Sequence, residues 1–384
     1  MRLKPIYILS FVVVLFTLSS CEREEILIDS DAFEVAMPEF TDIDGFYLLN
    51  EGNMGENKAS LDFFDYTKGV YYRNIYSERN PNVVKDFGDV GNDLQIYGNR
   101  LYAVLNCSHK VEIMNAENAV RIAKVDVPNC RYLLGHKENV YVSSYVGPVQ
   151  IDPTAPKGAV FQIDTLSMTV KGSVEVGYQP EEMTIIGNKL YVANSGGYMA
   201  PDYDHTISVI DLETFTLVDV IVLDNAFNLH RLKHDSMGRL WVSSRGDYYD
   251  KHSTLLVIDP LSKAVIKDMQ IPASDLCIVD DIAYVVSNEW SNISGDETVS
   301  YAKIDVKTLT VIDNNFIKDG TDVTIKRPYG IAVNPITKDI YVCDAKMYVI
   351  SGALFCYSKD GVLKWKQKTG DIPSRIAFKG NLKK

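Results

Sequence analysis

The sequence predicts an all-β chain folded as a seven-bladed β-propeller, with four-stranded antiparallel blades and a ring closed by the N- and C-terminal strands. Three observations predict it. One strand motif recurs seven times, each copy sits in the same run of strands and turns, and the two chain ends each supply part of one repeat.

The motif is an apolar residue, an aromatic, one or two β-branched residues and a small polar residue. Val140-Tyr141-Val142-Ser143, Leu190-Tyr191-Val192-Ala193-Asn194 and Leu240-Trp241-Val242-Ser243 are three copies. The aromatics fall at 47, 102, 141, 191, 241, 284 and 341, about 49 residues apart on average. Upstream of each lies a short strand and a tight turn, as in Leu94 to Asn99 and Met183 to Asn188, where Gly-Asn supplies the positive φ of a two-residue hairpin. Downstream come a loop, a strand such as Thr206 to Asp211, a second turn and a strand such as Leu217 to Val222. Four strands per repeat without helical periodicity, repeated radially, describe a propeller.

The ends are complementary. Ser374 to Asn381 reads as an innermost strand and turn with no strand after it. Phe46 to Leu49 reads as a second strand with no first strand before it. One blade built from both termini closes the ring and removes a free sheet edge. The propeller is assigned to 44–384.

Ahead of it, Arg2 and Lys4 precede an apolar run, Ile6 to Leu18, too short to span a bilayer comfortably. It ends in Leu18-Ser19-Ser20-Cys21, which resembles a bacterial lipobox. Residues 1–20 are therefore expected to be a lipoprotein signal peptide. Cys21 is the expected lipidated residue, and 21–43 an acidic tether containing Glu22, Glu24, Glu25, Asp29 and Asp31. A lipid anchor holds a protein on a membrane without spanning it. The acidic stretch after Cys21 also resembles the export signal of surface lipoproteins, so the expected location is the outer membrane, facing the cell exterior.

Composition agrees with this class. Hydrophobic residues make up 46% and charged residues 23%, a globular balance with 23 Tyr and 14 Phe to populate strands. The net charge of −12, with no basic patch, argues against nucleic-acid binding.

In this strand order the second-to-third loops and the crossovers between blades share one face, and the tight turns share the other. The long connections mark the functional face. Loops at Tyr145 to Pro156, Asn194 to Tyr203, Ser244 to Asp250 and Asn288 to Asn292 would ring that rim with Tyr145, Tyr198, Tyr203, Tyr248, Tyr249, Trp290 and Tyr348. Aromatic side chains suit a flat polar ligand, although several can pack under their own loops. The crossovers would line the central funnel with Arg131, Tyr132, Glu181, His230, Arg231, Arg327, Tyr329 and Arg375. Arg131, Arg231 and Arg375 all open a first strand. Each offers a planar fork to a ligand or a bridge between blades.

The sequence carries no HExxH, GxSxG, P-loop, GxGxxG or CxxC pattern. Glu181 and Glu182 are strand neighbours and point to opposite faces, which is poor geometry for joint acid–base work. Asp202, Asp204 and His205, or Asp247, Asp250 and His252, lack a fixed metal-ligand spacing. No catalytic residue, metal or cofactor is assigned. Cys107 and Cys130 lie near the expected ligand face, where a disulfide is geometrically open. Cys277, Cys343 and Cys356 read as small buried residues.

Tyr191-Val192-Ala193-Asn194 followed by Ile207-Ser208-Val209-Ile210-Asp211 resembles the YncE-like, YVTN-type seven-bladed propellers. Asn50-Glu51-Gly52-Asn53 and Gly370-Asp371-Ile372-Pro373 resemble a subset found as outer-membrane lipoproteins, some of which capture cobalamin and hand it to a transporter. The resemblance implies a non-enzymatic surface lipoprotein binding a small-molecule ligand on its loop face, with cobalamin as the candidate it names. Two other readings stay open. One is a protein-interaction or surface-layer propeller docking on an outer-membrane protein. The other is a propeller enzyme of the lactonase or lyase type.

Overall fold

A computed structural model describes residues 30–35, 41–83, 87–152 and 154–380. The expected signal peptide, Cys21 and residues 22–29 of the expected tether lie outside the described residues. The described residues form seven sheets. Blade 1 is built from both chain ends, and blades 2 to 7 follow in order, each with its first strand innermost.

The innermost strands are Pro373–Gly380, Gly91–Tyr97, Cys130–His136, Pro180–Ile186, Leu229–His234, Asp275–Val279 and Pro328–Val333. Each touches the next, and the last touches the first, so the ring is closed. The closure is the expected one. Pro373–Gly380 pairs antiparallel with Ile43–Asn50, with Phe46 opposite Phe378 and Tyr47 opposite Ala377. At the seam Gly330 of blade 7 lies against the closing strand, and a Cβ there would sit 2.0 Å from the Ser374 carbonyl oxygen.

The recurrent aromatics explain why seven copies give seven blades. Tyr47, Tyr102, Tyr141, Tyr191, Trp241, Tyr284 and Tyr341 are all buried. Each belongs to a different apolar cluster, and each cluster joins two adjacent blades. A blade has two apolar faces, and the aromatic of its second strand fills the space towards a neighbour. Trp241 also donates its indole N–H to Asp235 Oδ2 at 2.8 Å, so its polar edge is satisfied inside the core.

Carboxylates latch neighbouring blades near the axis. Asp93 accepts from the Leu133 amide, Glu182 from the Leu232 amide and Asp275 from the Ile331 amide, at 2.9, 2.9 and 3.0 Å. These latches join blades 2 to 3, 4 to 5 and 6 to 7.

Two elements depart from the expected layout. Asp31–Glu34, expected within the tether, adds a fifth, outermost strand to blade 1, with Asp31 opposite Arg73 and Glu34 opposite Val70. Arg73 also reaches Asp31 at 3.6 Å. Asp31 and Glu34 instead flank Ala32 and Phe33 on a strand that covers a sheet edge. Blade 6 departs as well. Asn288 to Ser291, expected as loop, continues the ladder: Ser287 to Ser291 pair with Ser300 to Asp296, and Gly295 supplies a positive φ of 70° beyond the turn. The hairpin stands above its blade and carries Trp290 with it.

Candidate functional site

The second-to-third connections and the crossovers gather on one face, as the strand order requires, and enclose a cavity of about 440 Å³ over the axis. That size suits a small organic ligand. Of the residues expected at the site, Arg131, Tyr132, Tyr198, His230, Arg231, Tyr248, Trp290, Tyr329 and Tyr348 line it.

The other six lie elsewhere. Tyr145, expected on the rim, is buried beneath it: its hydroxyl donates to Glu181 Oε1 at 2.5 Å and its ring packs edge-on to Tyr198. Glu181 is fully buried below the same wall. Tyr203 stacks on Phe227, and Tyr249 is 56% exposed on the outer rim. Arg327 is paired with Glu297 at 2.6 Å and lies over Tyr348. Arg375 plugs the channel below the cavity. Its Nη1 is 3.2 Å from both Asp275 oxygens, and Asp93 and Glu182 stand 3.6 and 3.8 Å away.

Tyr132 organises the floor. Three guanidinium groups surround its ring, those of Arg131, Arg231 and Arg375 at 5.9, 5.3 and 5.6 Å. Arg231 Nη1 donates to the Tyr132 oxygen at 2.9 Å, and that hydroxyl lies 3.0 Å from His230 Nε2. Burial holds His230 well below the usual imidazole range, helped by the fields of Arg231, Arg245 and Arg131. We assign the phenol hydrogen to neutral Nε2, which puts the imidazole proton on Nδ1, an atom with no protein partner. Burial pushes the Tyr132 phenol up to about 12, so it stays protonated.

Several polar residues of the lining were not expected from the sequence, among them Arg245, Glu51, Asn92 and Asn288. Arg245 and Arg131 both reach Glu181, each at 3.3 Å. Burial raises the Glu181 pKa, but the two guanidinium groups and Tyr145 outweigh it, and the carboxyl ends below its usual range. Glu51 accepts from the Tyr329 hydroxyl at 2.9 Å, yet burial still pushes it up to about 7. The motif Asn50-Glu51-Gly52-Asn53, which carries the lipoprotein resemblance, is the only sequence feature that includes Glu51. Arg245 sits in a named loop but outside the aromatic pattern.

The loop aspartates are committed to the backbone. Asp204 accepts from the Thr206 and Tyr178 amides, and Asp247 from those of Tyr249 and Lys251. Among the described residues no group of three His, Cys, Asp or Glu side chains is placed to hold a metal ion. Cys107 and Cys130 are both free thiols, so the disulfide that the sequence left open is not formed. Cys130 instead is buried, with its thiol against the Leu105 and Lys110 carbonyl oxygens.

The sequence pattern of a family described as a domain of unknown function (DUF5074) matches residues 44–379. No curated protein matches the chain. Among solved structures, a quinonprotein alcohol dehydrogenase-like protein from Bacteroides thetaiotaomicron superposes with a TM-score of 0.58 at 15% identity, over 88% of this chain and 79% of that one. AztD from Citrobacter koseri superposes with a TM-score of 0.54 at 13% identity, over 88% and 99%. The dihydro-heme d1 dehydrogenase NirN gives 0.52 at 12% identity, over 90% and 79%. Likeness at these identities carries the propeller fold and nothing about chemistry.

Proposed function

The chain belongs to the DUF5074 family, and from that premise we propose that it is a non-enzymatic, lipid-anchored capture propeller, binding a small-molecule ligand in the loop-face cavity. The observation that carries this reading is the cavity itself. Tyr198, Tyr248, Tyr329, Tyr348 and Trp290 come from four blades to surround a polar floor of Arg131, Arg231, Arg245 and His230. Large planar side chains with few rotatable bonds give contact area at low entropic cost, and the floor supplies directional donors.

The ligand we propose is cobalamin. Its corrin has broad faces for the aromatic walls, and its amide side chains suit Asn92, Asn288 and the guanidinium groups. In the assigned tautomer His230 offers no basic nitrogen to a substrate, since Nε2 accepts from Tyr132 and Nδ1 carries the proton, which works against a general-base role.

The entry of the chain supports hand-over to a membrane-embedded protein of the outer membrane. Asp31 pairs with Arg73 at the loop-face end of the outermost strands, and Ser30 bonds Glu78 in the short crossover helix Ile75–Arg79. The chain therefore arrives on the cavity side. Nine residues separate Cys21 from Asp31, a reach of at most about 36 Å over ten Cα steps. The edge strand Asp31–Glu34 is only about 13 Å long, so the tether length permits either orientation; the loop-face entry of the chain is what favours turning the cavity towards the membrane. Met54, Ile151, Tyr249, Trp290, Ile293 and Met347 are exposed around the rim and offer an apolar collar to a protein partner.

The test is gel filtration of the purified protein after incubation with cobalamin. A red chromophore in the protein peak is expected. Cobalamin eluting separately would refute it.

A further inference from the structure

The charges below and around the cavity do not balance in the same way. At the base of the floor and beneath it, the cations Arg231, Arg375 and Lys233 meet the anions Asp275, Asp93 and Glu182, three against three. Arg231 and Arg375 lie 3.0 and 3.2 Å from Asp275, and Lys233 lies 2.8 Å from Glu182. One level up, two guanidinium groups share a single carboxylate. Arg131 and Arg245 both rest on Glu181, whose second role is to accept from Tyr145. The other carboxylates of the lining do not close this gap. Glu51, bonded to Tyr329, is pushed up to about 7 by burial and so offsets the guanidinium groups only in part at neutral pH, and Glu289 accepts from the Ser253 amide and faces His252 at 3.5 Å.

Two donors of the cavity lining are also unused. Arg131 Nε and His230 Nδ1 are buried without a protein partner, and both side chains line the cavity. His230 is only 7% exposed. Buried donors and buried cations are costly unless something completes them. A guanidinium fork completes best on a group with two or more anionic oxygens.

We propose that the cavity floor is an anion seat, in which Arg131, Arg245 and His230 take a phosphate or carboxylate group of the ligand. The aromatic walls hold the flat body of the same molecule above it. The inference rests on the capture reading and adds the charge class of the ligand: a planar or macrocyclic body carrying at least one anionic oxygen group. A neutral aromatic ligand would leave the seat empty.

The experiment titrates sodium phosphate, and in parallel sodium acetate, into the purified full chain at ionic strength fixed with sodium chloride. Melting temperature and intrinsic fluorescence are read. A saturable response to either anion, weakened at least tenfold in Arg245→Met and partly kept in Arg245→Lys, is the expected result. Phosphate saturating below acetate would assign the seat to a phosphate, and the reverse to a carboxylate. Arg131→Gln gives the same test through the other guanidinium if Arg245→Met does not fold. No response beyond chloride, or an equal response in wild type and both variants, would overturn the proposal. A second arm separates this from the capture reading by comparing cobalamin with dicyanocobinamide, which lacks the phosphodiester. Equal affinities would overturn the anion seat and leave capture standing. No binding of either corrinoid, with phosphate still saturating, would refute cobalamin capture and leave the seat standing.

Discussion

Arg375, three residues into the closing strand, holds Asp275 of blade 6 across the channel, its Nη1 3.2 Å from each carboxylate oxygen. Asp275 in turn accepts the Ile331 amide of blade 7 and pairs with Arg231 of blade 5. The last strand laid down is therefore tied to three blades through one buried carboxylate.

Removing one partner of such a network leaves an unpaired buried charge, which costs about 3–5 kcal/mol. Arg375→Met and Asp275→Asn are each expected to lower the free energy of unfolding, read by chemical denaturation, by that order. The double variant should lose less than the sum of the two, because each single change already removes the Arg375–Asp275 contact. Additive losses in a double-mutant cycle would show that the pair is not coupled.

Trp241 fills the seam between blades 5 and 6 and is fully buried. Trp241→Ala should cost about 3–5 kcal/mol. The loss also leaves Asp235 without its indole donor, though Arg239 still holds that carboxylate at 2.7 Å. Denaturant unfolding checks it, and a loss under about 1 kcal/mol would contradict the seam assignment.

Glu51 gives the cavity a pH dependence. Its carboxyl ordinarily titrates near 4.5 and is pushed up to about 7 by burial, against donation from Tyr329 and the fields of Arg131, Arg231 and Arg245. The folded form holds this proton more tightly than the unfolded chain. The Glu51 contribution to stability is thus fully present below 4.5 and is lost as the pH rises through about 7. For an anion in the cavity the sign is the same: protonation removes a repelling charge. Sulfate, which keeps its charge over this range, is expected to bind several-fold more tightly at pH 6 than at pH 8. Glu51→Gln should flatten the profile at the tighter value. An unchanged slope in Glu51→Gln would assign the dependence to another group.

The orientation proposed for the anchor predicts unequal labelling of intact membranes. Ile151 lies on the loop face, and Leu166 lies on the opposite face at a turn between the third and fourth strands of blade 3. Cysteine at 151 should react slowly with a soluble maleimide and cysteine at 166 quickly. Cys21→Ala should release the protein and equalise the two rates. Faster labelling at 151 on intact membranes would place the cavity away from the membrane.

The fold was legible because the residue that fills each seam is also the most repetitive feature of the sequence. Seven aromatics stand for seven inter-blade clusters, and the unpaired strands at Phe46 and Ser374 show where the ring shuts. Asp31–Glu34 was not legible, since a four-residue edge strand rich in acid has no pattern that separates it from a linker. The site was legible as a face and in part as residues. Strand order decides which loops share a side, so Tyr198, Tyr248 and Trp290 could be placed together. Which aromatics point inward is decided by contacts from other blades: Tyr145 is drawn under by Glu181, whereas Tyr198 is left lining the cavity. Arg245 was missed for the same reason. Its partner Glu181 lies 64 positions away and in another blade.

The central claim is that the loop-face cavity captures a small ligand, and calorimetric titration of cobalamin into two proteins tests it most directly. One is the wild type, and the other carries Tyr198→Ala, Tyr248→Ala and Trp290→Ala together. The account predicts one cobalamin per wild-type chain and at least a hundredfold weaker binding in the triple variant, with its melting temperature close to that of the wild type. Binding of equal affinity in both proteins, or heat of binding from neither, would contradict it.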